Sequence, residues 1–140
     1  MDPTDVAETD LPARLVQCFT ESLPTRMRLR YTAHDPCALR VAFHTSGTGG
    51  TMEWVFSRDL LADGLHSYAG VGDVRVWPGS GGPDSDVLYI VLGSPGRSAL
   101  LEAPRQDVQS FLQRTLSMVP MGAESEQLDV DNTLARLFTD

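Results

Sequence analysis

Residues 26–33, RMRLRYTA, alternate arginine with a large apolar side chain through three full periods. Wound into a helix, Arg26, Arg28 and Arg30 would scatter around the axis among Met27, Leu29 and Tyr31. In an extended chain the two sets take opposite faces, one buried and one wet. The segment at 38–45, ALRVAFHT, repeats the pattern, with Leu39, Val41 and Phe43 inward and Arg40, Ala42 and His44 outward. After the turn signal SGTGG at 46–50, TMEWVFS places Met52, Trp54 and Phe56 on one face. With RLVQCFT at 14–20 as a first strand, these segments predict an antiparallel meander with one solvated face.

The second half continues in the same manner. DVRVW at 73–77, the nearly unbroken apolar run VLYIVLG at 87–93 and SALLEAP at 98–104 read as three further strands. Ser57 is placed to N-cap a short helix through Ala62, with Gly64 as its left-handed stop. A longer helix follows over 105–119, where Val108, Phe111, Leu112, Thr115, Leu116 and Val119 recur at helical spacing. Pro120 and Gly122 end it, Gly122 in a turn that calls for an unusual backbone angle. A second stripe, Val130, Leu134, Leu137 and Phe138, predicts a short amphipathic helix in the tail. The fold class expected is α+β: antiparallel sheets of about seven strands, a long C-terminal helix packed on them, and the short tail helix.

The N-terminal MDPTDVAETDLP is acidic and contains two prolines, so residues 1–12 read as a disordered lead and residues 13–140 as one domain. The lead has no basic or apolar signal-peptide region, so a cytoplasmic location is expected. The formal charge of −8 opposes bulk attraction to nucleic acid. Cys18 and Cys37 lack metal-finger spacing and are expected to be buried thiols.

Few residues have the makings of chemistry. His34, Cys37, His44 and His66 with Asp35 or Asp59 are the components of a thiol or metal site, yet no HxxxH or CxxC spacing joins them. The glycines of 70–74, GVGDV, lead into a strand, whereas a phosphate cradle leads into a helix, so they read as a tight bend. No catalytic residue, cofactor or metal is assigned. Arg58-Asp59 opens the short helix, where Asp59 suits the helix dipole and Arg58 either braces the corner or faces solvent. The arginine stripe, Arg26, Arg28 and Arg30 with Arg40 beside it, reads first as a salt-bridged sheet face. It is also the feature most like a nucleic-acid surface or a contact for an acidic protein. Trp54, Phe56 and Trp77 are expected in the core or at a subunit interface.

The segments EWVFSRDLLADGL, GDVRVWP, SPGRSALLEAP and SFLQRT…VPMG, in this order and spacing from about Leu29 to Gly122, resemble the SsgA-like sporulation and cell division proteins of actinomycetes. The resemblance is nearest to the SsgB branch. It implies a Whirly-like fold assembled as a homotrimer, no enzymatic activity, and action at division septa through recruitment of the tubulin-like GTPase FtsZ or contact with other family members. Two features depart from the family pattern: Cys37 stands where the family reads Tyr after Asp-Pro, and the acidic N-terminal extension is longer. The partner-binding residues expected on this reading are Arg26, Arg28, Arg30, Arg58, Asp59, His66 and Gly122. The alternative is a single-stranded nucleic-acid binder using the arginine stripe.

Overall fold

A computed structural model describes residues 5–18, 21–44, 50–70, 72–79, 86–93 and 98–123. Seven strands and two helices follow in the order β1 (Val6–Cys18), β2 (Glu21–Thr32), β3 (Ala38–His44), β4 (Thr51–Ser57), α1 (Arg58–Gly64), β5 (Val74–Pro78), β6 (Val87–Leu92), β7 (Ala99–Pro104) and α2 (Arg105–Met118). The strands form one antiparallel sheet in the order β4-β3-β2-β1-β7-β6-β5. Two meanders therefore share a single sheet, and the expectation of separate sheets is corrected. Their seam is short, with Arg14–Val16 of β1 pairing only with Glu102–Leu100 of β7. The stripe expected to form a tail helix lies outside the described residues.

The alternation predicted for β2 and β3 fixes which face is buried. Met27, Leu29, Leu39 and Val41 are fully buried, and Tyr31 and Phe43 are 1% exposed. Val76, Leu88, Ile90 and Leu101 continue this face in the second meander, and α2 adds Val108, Phe111 and Leu112 to the same core. Each such side chain contributes on the order of 2 kcal/mol relative to exposure.

Several local expectations are corrected. The acidic lead is strand from Val6 onward: Ala7, Leu11 and Ala13 are buried while Glu8, Asp10 and Pro12 face out, the same period of two at lower hydrophobicity. Cys37 is exposed rather than buried. The neighbouring Pro36 turns inward instead and its carbonyl accepts the Tyr31 hydroxyl at 2.9 Å. Met52 shares a face with Trp54 and Phe56, but on the edge strand it is 43% exposed and Trp54 only half-buried, leaving Phe56 as the core residue of the three.

The corner between β4 and β5 forms largely as its residues predict. Ser57 is extended (φ −71°, ψ 140°) and its Oγ accepts the Leu60 N–H at 3.0 Å, a cap worth about 1 kcal/mol. Gly64 plays a different part from the one expected. It lies within α1, and a Cβ there would stand 2.4 Å from Cγ1 of the buried Val76, so the glycine allows helix and strand to touch.

The largest correction concerns Arg58, which is fully buried. Its backbone N–H donates to the Cys37 carbonyl at 2.8 Å, and its Nη1 donates to the Thr115 carbonyl of α2 at 3.1 Å. The guanidinium lies 5.0 Å from the centroid of the Tyr31 ring. Of the two roles open to it in the sequence, bracing the corner is the one it performs. Replacing Arg58 by Met is expected to lower unfolding stability by about 2–4 kcal/mol, the loss of a charge-assisted hydrogen bond and a desolvated cation–π contact. Arg58→Glu is expected to abolish folding. A urea midpoint unchanged in Arg58→Met would contradict the brace. Gly64→Ala should also destabilise, by about 1–3 kcal/mol through overpacking on Val76, although alanine is the better helix former by about 1 kcal/mol. A stabilised variant in thermal unfolding would mean that α1 does not press on β5.

Candidate partner-binding surface

The outward residues of β2 face those of β1 and, on the other side, β3. The register sets Arg30 opposite Glu8, Arg28 opposite Asp10 and Arg26 opposite Pro12. Arg28 Nε donates to Asp10 Oδ1 at 2.9 Å and lies 3.7 Å from Glu8 Oε1. Arg30 Nε is 3.7 Å from Glu8 Oε2, and Arg40 Nη1 is 3.1 Å from Glu53 Oε1. The hydrogen bond from Arg28, aided by the charges of Arg28 and Arg26 and opposed by desolvation, holds the Asp10 carboxyl below its ordinary value. The reciprocal bond raises Arg28. The Asp10–Arg28 pair is thus fully formed at neutral pH and lost as pH falls through Asp10's lowered pKa. The stripe is the salt-bridged sheet face that its sequence favoured.

The carboxylates that neutralise it were missed in the sequence because they sit in the acidic lead. Their signal is the alternation of Ala7, Leu11 and Ala13 with Glu8, Asp10 and Pro12. Arg26 differs from its neighbours: among the described residues it has no carboxylate partner in an ion pair. It borders an open cleft of about 270 Å³ lined also by Asp10, Arg28, Ala42, Phe43, His44 and Thr51.

The other candidates lie elsewhere. Asp59 and His66 are exposed at the two ends of the α1 corner. Arg58, between β4 and Asp59, is buried and offers no surface. Gly122 occupies the turn after α2 with φ +88° and open space where a Cβ would stand, so its sequence requirement is the backbone angle alone. Trp77 is half-buried, its ring 5.5 Å from that of Tyr68 and 5.7 Å from that of Tyr89. This aromatic ladder was also missed, since residues 68, 77 and 89 share no local pattern.

The residues of the hypothetical thiol or metal site do not converge. His34 lies 3.6 Å from Asp5, His44 meets Thr51 across β3–β4, and His66 follows α1. No cluster of three potential metal ligands occurs among the described residues. Among the described residues, the arginine row also lacks the stacking partners of a single-strand binder. Tyr31 is buried on the opposite face, and the exposed Tyr68 stands beside β5, four strands from β2, or about 19 Å. No helix among the described residues is long and apolar enough to cross a membrane.

A family model described as "Streptomyces sporulation and cell division protein, SsgA" matches residues 25–124. The sporulation-specific cell division protein SsgB of Streptomyces coelicolor is 47% identical over 131 residues, covering 94% of each chain. SsgB of Salinispora tropica is 45% identical over 97% of this chain and 94% of its own. A solved structure from work correlating mutations in SsgB with longitudinal cell division during sporulation of Streptomyces coelicolor aligns with TM-score 0.78 at 46% identity, over 87% of this chain and 94% of that one. The crystal structure of an SsgA-like sporulation-specific cell division protein from Thermobifida fusca aligns with TM-score 0.84 at 34% identity, over 97% and 98%. In sequence and in fold alike, the chain belongs to the SsgA family of sporulation and cell division proteins.

Proposed function

We propose that this protein is a non-enzymatic adaptor of sporulation-specific cell division that recruits FtsZ to the division site and so helps to position or promote the septum. The observation that carries this reading is the 47% identity to SsgB of Streptomyces coelicolor along 94% of both chains. Such coverage leaves no large inserted or missing module to redirect the shared scaffold. In the same reading the subunits are Whirly-like and assemble as a homotrimer at septal sites, in contact with FtsZ or with other family members.

The surface used is an exposed one. Arg26, Arg28, Arg30, Asp59 and His66 are the sequence candidates whose side chains are exposed, with Arg28 and Arg30 held in ion pairs to β1, whereas Arg58 acts indirectly by setting the corner that presents Asp59 and His66. The test is capture of purified FtsZ by the purified full-length chain, with the mass of the same preparation measured by light scattering. Capture by a species of three subunits is the expected result. A well-folded oligomer that fails to capture FtsZ would contradict direct recruitment, and a monomer would contradict the trimer.

A further inference from the structure

We propose that the cleft beside Arg26 seats a single carboxylate side chain from an acidic segment of the protein partner. The identity of that partner as FtsZ rests on the adaptor reading above; the chemistry of the cleft does not. Charge accounting on the outer face of the sheet carries the argument. Arg28 is engaged by Asp10 and Glu8, Arg30 by Glu8, and Arg40 by Glu53. Arg26 alone of the four forms no ion pair with a carboxylate among the described residues, although its charge acts at longer range on Asp10, and it borders the cleft together with Asp10, Arg28, His44 and Thr51.

With the Arg28–Asp10 pair internally balanced, the guanidinium and carboxylate groups of the lining, Arg26, Arg28 and Asp10, leave an excess of one positive charge. That matches one carboxylate. A phosphate, with up to two negative charges, would be held against the Asp10 carboxylate on the same wall. His44 Nδ1 is engaged with Thr51 Oγ1 at 3.2 Å, which orients the ring at the rim of the cleft. The cleft, about 270 Å³ and open to solvent, has room for an aspartate or glutamate side chain. The alternation of β2 thus does two things: it buries one face, and by placing Arg26 opposite Pro12 it leaves one guanidinium without the cross-strand carboxylate that Arg28 and Arg30 receive.

The test combines two arms on the full-length protein. In the first, binding of FtsZ is measured for the wild type, Arg26→Glu and Arg40→Gln, at low and moderate salt. Arg26→Glu is expected to bind about three- to ten-fold more weakly, as for an exposed charge contact, with the difference narrowing as salt rises. Arg40→Gln, whose cation is already neutralised by Glu53, should bind as the wild type does. In the second arm, NMR signals of the Arg26 side chain and the His44 ring are followed during titration with hexaglutamate and, separately, with a short oligothymidylate. Shifts at both groups with hexaglutamate are expected. Unchanged FtsZ binding by Arg26→Glu overturns the inference while leaving the adaptor reading intact. Absence of hexaglutamate shifts overturns it, as does a response to oligothymidylate alone, which would assign the cleft to nucleic acid. Should the wild type fail to bind FtsZ, the adaptor reading fails and the hexaglutamate titration decides the cleft by itself.

Discussion

A guanidinium is costly to take out of water, yet the interior of this fold is organised around one. Arg58 joins three parts of the chain that no continuous strand connects. Its side chain reaches the carbonyl of Thr115 in α2 and lies against Tyr31 of β2, and its backbone binds the carbonyl of Cys37 in the turn before β3. Tyr31 closes the arrangement by donating to the Pro36 carbonyl of that same turn. A helix of seven residues is far too short to persist in water on its own. α1 exists because Ser57 caps it, Gly64 lets it press on Val76, and Arg58 fastens its first residue to the core. The position of Asp59 and His66 on the surface follows from that fastening.

The outer face obeys a different economy. There the ion pairs are exposed and each stabilises little, but together they decide what the surface offers to a partner. A row of arginines looks basic in the sequence. Register with β1 and β4 supplies Glu8, Asp10 and Glu53, and most of the basic character disappears. This favours a contact specified by position over a broad electrostatic attraction, in keeping with a protein whose overall charge is −8.

Much of the fold is legible in period-two alternation. β3 to β7 fall within one residue of where their sequence places them at each end, and α2 runs Arg105–Met118 against an expected 105–119. The first hairpin was legible only in part. Its β1 begins at Val6, because small residues such as Ala7 and Ala13 carry an alternation that acidic composition obscures, and β2 begins at Glu21 across Pro24. Arg58 was not legible in its final role. Its partners Tyr31 and Thr115 lie 27 and 57 residues away, and local pattern gives an arginine after a helix cap no reason to turn inward. The exposure of Met52 and Cys37 was hidden for the related reason that an edge strand and a turn are defined by what does not pack against them.

The most direct measurement is a double-mutant cycle between Arg58 and Tyr31, using Arg58→Met, Tyr31→Leu and the pair, with unfolding free energies from urea titration. The cycle cancels the separate loss of the Tyr31–Pro36 hydrogen bond and leaves the interaction between guanidinium and ring. A coupling of about 1–2 kcal/mol, the range of a desolvated cation–π contact, is predicted. Strict additivity of the two single losses would contradict the claim that Arg58 and Tyr31 together hold the corner to the core.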